Sequence, residues 1–526
     1  MRTGRWACGL IVMTVLLAGL EHDGIAGPLS PEETRGKRMF LEGRSEAGRM
    51  ITARVGRSSM PMPGKTFPCA SCHGSDGRGR PEGGVVPANI TWSRLTQTVH
   101  ATGEARPRSP YNAETVGRAI SAGLNSDGVA LDATMPRFEM EPEDLRDLLA
   151  YLRRLEQDLD HGLTERAIAL GTIVPKGATP DALGAVVTTV LSGYLDDINA
   201  EGGIYNRRLE LTAIEAATHE HAVDQMTKML GEGRVFALVG AVTVGMEREM
   251  ERLTEEYGIP LVGPLAQPPR HEDSLQRQTF YLFSGLTVQS RVLVEFAAKT
   301  LVQGPLHIGI VYPDGEKMDA VIASIRHEAK SLQRDVPTVL VYSPGSFSAA
   351  DTAVALSKAK VNALLFLGSD RELRGLAQES VRHQWVPFLL VPSASTGAAL
   401  LELPNEFDGR IFFASPNGPA DYTAEGLADF AAFQARHRLP RHHLAAQVSA
   451  YAAVKVLVEG LKRTGASVSR ERLMTALEQL YEFRTGMTPA VTYGPTRRVG
   501  AQGAHVSGID LANKRFQPSS VWISVQ

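Results

Sequence analysis

The chain reads as two folds in series: an all-α, loop-rich N-terminal domain followed by an α/β module of two lobes with parallel sheets. Three observations predict this. Residues 30–157 carry two helical patterns separated by a long stretch of Gly, Pro, Ser and Arg with little periodicity. From residue 167 the texture changes to short aliphatic and β-branched runs alternating with amphipathic helices, the pattern of parallel sheets covered on both faces. At 526 residues the chain is also too long for one core.

The first element is a targeting signal. Arg2 and Arg5 precede an apolar run from Ala7 to Leu20, and a short polar stretch ends in Gly24-Ile25-Ala26, which suits cleavage before Gly27. The apolar run is short for a bilayer, which needs about 20 residues, although an uncleaved anchor is the alternative. No later run looks long enough to span, so residues 1–26 are expected to leave and the mature protein to be exported, soluble and periplasmic. Cys8 lies within the signal, leaving two cysteines in the mature chain.

Ser30-Pro31-Glu32-Glu33 opens a helix running to about Glu42, with Ser as cap, Pro in the first turn and Glu33 placed to reach back. Residues 43–112 are expected to be mostly loop, ordered by something other than a regular core. Glu141 to Leu155 returns to helical spacing, with Leu145, Leu148, Leu149 and Leu152 on one face. A polar connector at 158–166 separates a first domain at 27–157 from a second at 167–526. Strand-like runs follow at 168–174, 209–214, 236–241, 259–264, 307–312, 338–343, 363–368 and 387–392, enough for two doubly wound lobes. The Gly-rich end, from Ala490 on, has antiparallel hairpin texture.

Cys69-Ala70-Ser71-Cys72-His73 is the pattern by which two thiols bind porphyrin vinyl groups covalently and the next residue ligates iron. A local disulfide or a thioredoxin-like redox motif is the competing reading, but no strand precedes these residues. One covalent haem c is therefore expected, on Cys69 and Cys72, with His73 as one axial ligand. Met135, followed by Pro136 in a loop before the last helix, is the candidate second axial ligand; Met60, Met62 and His100 are the alternatives.

Several segments here resemble class I monohaem cytochromes c: Gly36 and Phe40, the run CASCHGSDGRG at 69–79, NAETVGRAISAGLNSDGVAL at 112–131, Met135-Pro136, and Leu149-Tyr151-Leu152. The resemblance covers about 30–157 and implies that first and last helices cross, with Gly36 and Tyr151 in contact. The span between the first helix and Cys69 is unusually long for that family. Residues 167–526 resemble type I periplasmic solute-binding proteins, near the branched-chain amino-acid receptors. This rests on DDINAEGGIYNRRLEL at 196–211, LVGAVTVGM at 238–246, GIPLVGP at 258–264 and TYGPTRRVGAQGA at 492–504. That likeness implies a small solute held between lobes, with Thr243 and Gln267 as candidate cleft donors. Val244 stands where such receptors offer a hydroxyl, which makes an α-amino acid a poorer fit.

With a net charge of -3 there is no basic excess for nucleic acid. Three functions from different classes remain. The first is an electron carrier, not an enzyme, whose second domain docks it or places it under solute control. The resemblance implies a setting near periplasmic alcohol oxidation, with a quinoprotein dehydrogenase as donor and a downstream cytochrome or oxidase as acceptor. The second is a solute receptor for an ABC transporter or sensor, with the haem as redox reporter. The third, a haem enzyme, needs the open iron position that Met135 would fill. The His219/His221 and His442-His443 pairs read as capping or solvated residues. Between 34 and 80 ten Lys or Arg face only Glu42, Glu46 and Asp76, while 139–160 is acidic, which suggests charge steering of redox partners.

Overall fold

The structure, a computed structural model, describes residues 29–46, 48–56, 60–79, 86–99, 107–179, 182–266, 277–301, 305–315, 318–393, 398–517 and 521–525. The expected signal with Cys8, and the candidates His100 and Gln267, lie outside them. The chain divides into two compact units, Met1–Asp158 and Leu159–Gln526.

In the small unit, helix α1 (Pro31–Glu42) starts as the sequence dictates. Ser30 Oγ accepts from the Glu33 N–H, Glu33 reaches back to the Ser30 N–H, and Gly43 closes the helix with φ 65°. The helix α5 (Pro142–Arg154) crosses it. A Cβ on Gly36 would lie 2.1 Å from the Asp147 carbonyl oxygen, so only glycine permits this approach. The Phe40 and Tyr151 rings then meet at 5.6 Å between centroids.

Three short helices complete the unit: α2 (Cys69–His73), α3 (Trp92–Leu95) and α4 (Ala113–Ala122). The stretch before Cys69 contributes strands β1 (Thr52–Arg54) and β2 (Met62–Pro63), and β1 pairs antiparallel with β3 (Arg137–Glu139), Ala53 opposite Phe138. Several basic residues of α1 and of this stretch pair within the unit. Arg35 and Arg49 bind Asp147 and Asp144 of α5, Lys37 binds Asp158, and Arg54 binds Glu139. These pairs join the two oppositely charged regions in an ion-paired seam, while Arg44 and Lys65 stay exposed.

The large unit alternates strand and helix. Its first sheet holds β4 (Ala167–Pro175), β5 (Arg208–Ala216), β6 (Ala237–Val239), β7 (Leu261–Val262) and β8 (Thr279–Phe283). Around it pack α6 (Leu183–Ala200), α7 (His219–Gly231) and α8 (Glu247–Tyr257). The helix α9 (Leu286–Phe296) leads to the second sheet: β9 (Ile308–Pro313), β10 (Thr338–Tyr342), β11 (Ala363–Phe366), β12 (Phe388–Pro392) and β13 (Ile411–Ser415). Between these strands run α10 (Met318–Ser331), α11 (Ala349–Lys358) and α12 (Asp370–Arg382). The helices α13 (Ala424–Arg436), α14 (Leu444–Arg463) and α15 (Arg470–Glu478) follow, then β14 (Val499–Ala501), β15 (Ala504–Asp510), β16 (Arg515–Phe516) and β17 (Val521–Ile523).

The strand orders are β14-β8-β7-β6-β4-β5 and β10-β9-β11-β12-β13-β15-β16, with β17 on β15. Two strands, β8 and β13, lie outside the runs expected from the sequence, although Ser284-Gly285 follows TFYLF and Asp408-Gly409 and Asn417-Gly418 flank IFFAS. At the end, β15 pairs antiparallel as expected, but β14 lies parallel to β8, a correction to the hairpin reading. A second correction concerns α14, whose mean hydropathy of 1.3 over a spanning-length window makes it long and apolar enough to cross a membrane. Here 67% of that window is buried inside the protein, as in a core helix. The chain passes between the sheets after β8, after β13 and before β15. Ser284 Oγ donates to the Gly503 carbonyl at 2.6 Å, and His505 Nε2 lies 2.8 Å from Asp421 Oδ1, so these crossings are tied to one another.

Candidate haem site and ligand cleft

The helix α2 is a five-residue turn whose two thiols, three positions apart, fall on one side. Cys69 is half-buried against the core and Cys72 is exposed. His73 is 9% exposed, and its Nδ1 lies 2.8 Å from the Ala88 carbonyl oxygen. Burial lowers the pKa of this imidazole from its ordinary value, opposed by the Ala88 bond. A neutral ring donating Nδ1–H to Ala88 keeps its lone pair on Nε2, the arrangement that orients a metal-ligating histidine.

The cluster that Cys69 packs on is apolar but incompletely covered: Phe67, Ala70, Ile90, Trp92, Leu131 and Leu149 are only partly buried where they pack on it. A porphyrin face would cover such a surface. Arg118, which the sequence reading passed over, donates Nη2 to the Asn125 and Ser126 carbonyls. Its Nε is buried with no hydrogen-bond partner among the described residues, an orphan that a propionate carboxylate would satisfy. The residues present fit a haem c.

Met135 sits half-buried in the turn between α4 and β3, where its N–H reaches the Asp132 carbonyl at 3.3 Å. Leu131, on the same turn, packs in the cluster that includes Cys69 and Ala70, so the turn and α2 share one core. Met60 and Met62 are 72% and 37% exposed.

In the large unit, each sheet has a point where strand order reverses: between β4 and β6 in the first, between β9 and β11 in the second. Ligands of open α/β sheets bind beyond the carboxyl ends of strands at such points. Thr243 lies just past β6, 2% exposed, with its carbonyl accepting from the Met246 N–H, while Val244 beside it is 61% exposed. Past β11, Ser369 caps α12. Glu372 Oε2 gathers the Ser369 N–H at 2.8 Å and the Tyr342 hydroxyl at 2.7 Å. Burial alone would raise the Glu372 pKa, but these donors outweigh it and hold the carboxyl below its usual range. The S-x-x-E spacing at 369–372 could have marked the Ser369–Glu372 part of this cluster, though not Tyr342. His219 opens α7 behind the cap Thr218, and His443 precedes α14 with φ 56°. No group of three or more His, Cys, Asp or Glu placed to hold a metal ion occurs among the described residues.

Comparison with known proteins agrees with both halves. The family model described as "Cytochrome c" matches residues 64–156, and that described as "Periplasmic binding protein" matches 167–510. The Leu/Ile/Val-binding protein BraC3 of Rhizobium johnstonii is 26% identical over 357 residues, covering 65% of this chain and 91% of that protein. Among solved structures, a fatty acid ABC transporter substrate-binding protein from Thermomonospora curvata shares 18% identity and a TM-score of 0.54, covering 70% of this chain and 94% of its own. A branched chain amino acid ABC transporter protein from Thermus thermophilus with bound valine shares 14% identity and a TM-score of 0.53, covering 69% and 98%. The cytochrome c domain implies a haem c cofactor and electron transfer. The chain belongs to the periplasmic binding protein family, with a cytochrome c domain ahead of the binding-protein module.

Proposed function

We propose that this protein is an exported electron carrier in which Cys69 and Cys72 hold one haem c covalently, His73 and Met135 ligate its iron, and the binding-protein module docks the carrier or controls it through a small solute. The domain plan is a signal at 1–26, a cytochrome at 27–157, a connector at 158–166 and the module at 167–526. The observation that carries the redox half is His73, oriented by Ala88 beside two cysteines on one turn. When bound, the haem supplies reversible one-electron exchange. The chain's own part is to anchor the group, to orient the imidazole through Nδ1, to cover the porphyrin with Phe67, Ile90 and Trp92, and to meet a propionate with Arg118. Periplasmic redox proteins are the partners, and a place in an alcohol-oxidation chain, fed by a quinoprotein dehydrogenase and drained by a cytochrome or oxidase, is the working setting.

The second reading is a solute receptor for a transporter or sensor, favoured by the extent of the binding-protein match and by relatives named for branched-chain amino acids. Thr243 would then donate to the solute, with Gln267 as the second donor; the exposed Val244 disfavours an α-amino acid. Haem staining on a denaturing gel and a redox titration with leucine, valine or a short fatty acid separate the readings. Covalent haem that exchanges electrons with a dehydrogenase at a solute-independent rate supports the carrier. Tight solute binding with no electron exchange supports the receptor.

A further inference from the structure

A methionine thioether is a neutral and weak ligand, so its occupancy at an iron depends on how firmly the chain carrying it is held. Residues 131–136 form no helix or strand of their own. Their backbone carbonyls are gathered instead by one side chain. Arg137 Nη2 donates to the Leu131 carbonyl at 3.0 Å and the Asp132 carbonyl at 3.3 Å, while Nη1 donates to the carbonyl of Met135 itself. A planar fork serves these acceptors from two fixed nitrogens at once, whereas a lysine ammonium carries its three donors on a single nitrogen.

The fork is itself seated. A Cβ on Gly123 would fall 1.6 Å from Arg137 Nε, so the guanidinium lies against the glycine that ends α4 with φ 68°. There it faces the negative end of the helix dipole. The turn is pinned from its other side by the stretch that precedes Cys69. The Gly56 N–H donates to the Ala133 carbonyl at 3.0 Å, and Arg54 stands opposite Arg137 in the β1–β3 ladder. The carbonyls that Arg137 serves all lie within the turn that carries Met135, so the interaction sets the shape of this turn instead of tying distant elements together.

We propose that Arg137 is a positioning residue for the axial methionine: its fork clamps the carbonyls flanking Met135 and holds the thioether sulfur at the iron. The proposal rests on the assignment of Met135 as ligand. Residues that orient metal ligands typically change metal-site affinity by about 10–100-fold when replaced. The test uses the full-length haem protein and titrates the ferric form with imidazole, an external ligand that competes with the methionine. Arg137→Gln is expected to bind imidazole about tenfold more tightly than wild type and to weaken the near-infrared sulfur-to-iron band, at unchanged covalent haem content.

Arg137→Lys keeps the charge and the stem but loses the fork, and should fall between the two; it carries the test alone should the Gln variant fold poorly. Wild-type imidazole affinity and band intensity in both variants overturn the clamp, even where the denaturation midpoint drops, because a merely structural role would move only that midpoint. Met135→Ala is measured beside them. A band retained there overturns the ligand assignment and the clamp with it; a band lost there but untouched in the Arg137 variants overturns the clamp alone.

Discussion

The two units are closed by different means. Of the largest fully buried side chains, only Phe40, Leu148 and Tyr151 belong to the small unit, and all lie on the two crossing helices, whereas the strands of the large unit send successive residues into apolar clusters on opposite faces, as Leu238 and Val239 or Leu364 and Leu365 do. The large unit therefore supplies its own cover, as parallel sheets wrapped by helices must. The small unit has a close helix crossing at Gly36, a seam of ion pairs, and a partly covered apolar cluster that includes Cys69. A cofactor covering that cluster would add to the unit's order, and this difference offers a way to separate the halves by experiment.

The largest separation should follow removal of the haem link. In Cys69→Ala/Cys72→Ala, covalent haem should be absent and the helical signal of the small unit should melt early, while the unfolding transition of the large unit stays where it was. A haem-free small unit that melts with wild-type cooperativity would break the comparison. Next comes Gly36→Ala. The added Cβ meets the Asp147 carbonyl at 2.1 Å, so α1 and α5 must part. A loss of about 2–3 kcal/mol in the small unit is expected from denaturant titration followed at the haem absorption, with no change in the large unit.

Acid provides a third and smaller probe. Asp144 is buried, which alone would raise its pKa, yet Arg49 and Ser45 together hold it below the usual carboxylate range. A depressed folded value contributes stability that is present above the unfolded pKa, about 4, and is lost as pH falls through the folded one. The melting temperature of the small unit should accordingly decline below about pH 4, and Asp144→Asn should lower it at pH 7 and flatten that decline. Equal acid slopes in variant and wild type would show that the seam contributes little.

Much of this was legible in the sequence for physical reasons. The capping box at Ser30 and the strand runs have local signatures, and the Gly36–Tyr151 contact followed from the resemblance to cytochromes c. What escaped depends on residues far apart in the chain. The pairing of Arg49 with Asp144 joins the basic stretch to the acidic last helix, and no local pattern marks it. The β1–β3 ladder is equally non-local, so the long stretch before Cys69 read as loop although it braces the turn of Met135. Strands β8 and β13 have turn residues beside them, Ser284-Gly285 and Asp408-Gly409, and were legible by the same rule as the other strands. Arg118 and Arg137 look like ordinary surface arginines until the orphan Nε of one and the carbonyls around the other are seen.

The smallest expected effect concerns whether the halves communicate. Binding-protein lobes close about a hinge when a solute enters, and here the crossings are tied by Ser284 to Gly503 and by His505 to Asp421. If closure changes the environment of the haem, solute affinity must differ between the ferrous and ferric protein by the same free energy by which solute shifts the potential, because linkage is reciprocal. A coupling at the low end of the usual range, about 1 kcal/mol, corresponds to about 40 mV for a one-electron couple. Potentiometric titration with and without saturating solute reads one side of this relation, and calorimetry on the oxidised and reduced protein reads the other. A shift on both sides of equal size makes the module a regulator of the carrier. A potential unmoved to within a few millivolts, with solute still bound, leaves the two units as independent functions on one chain.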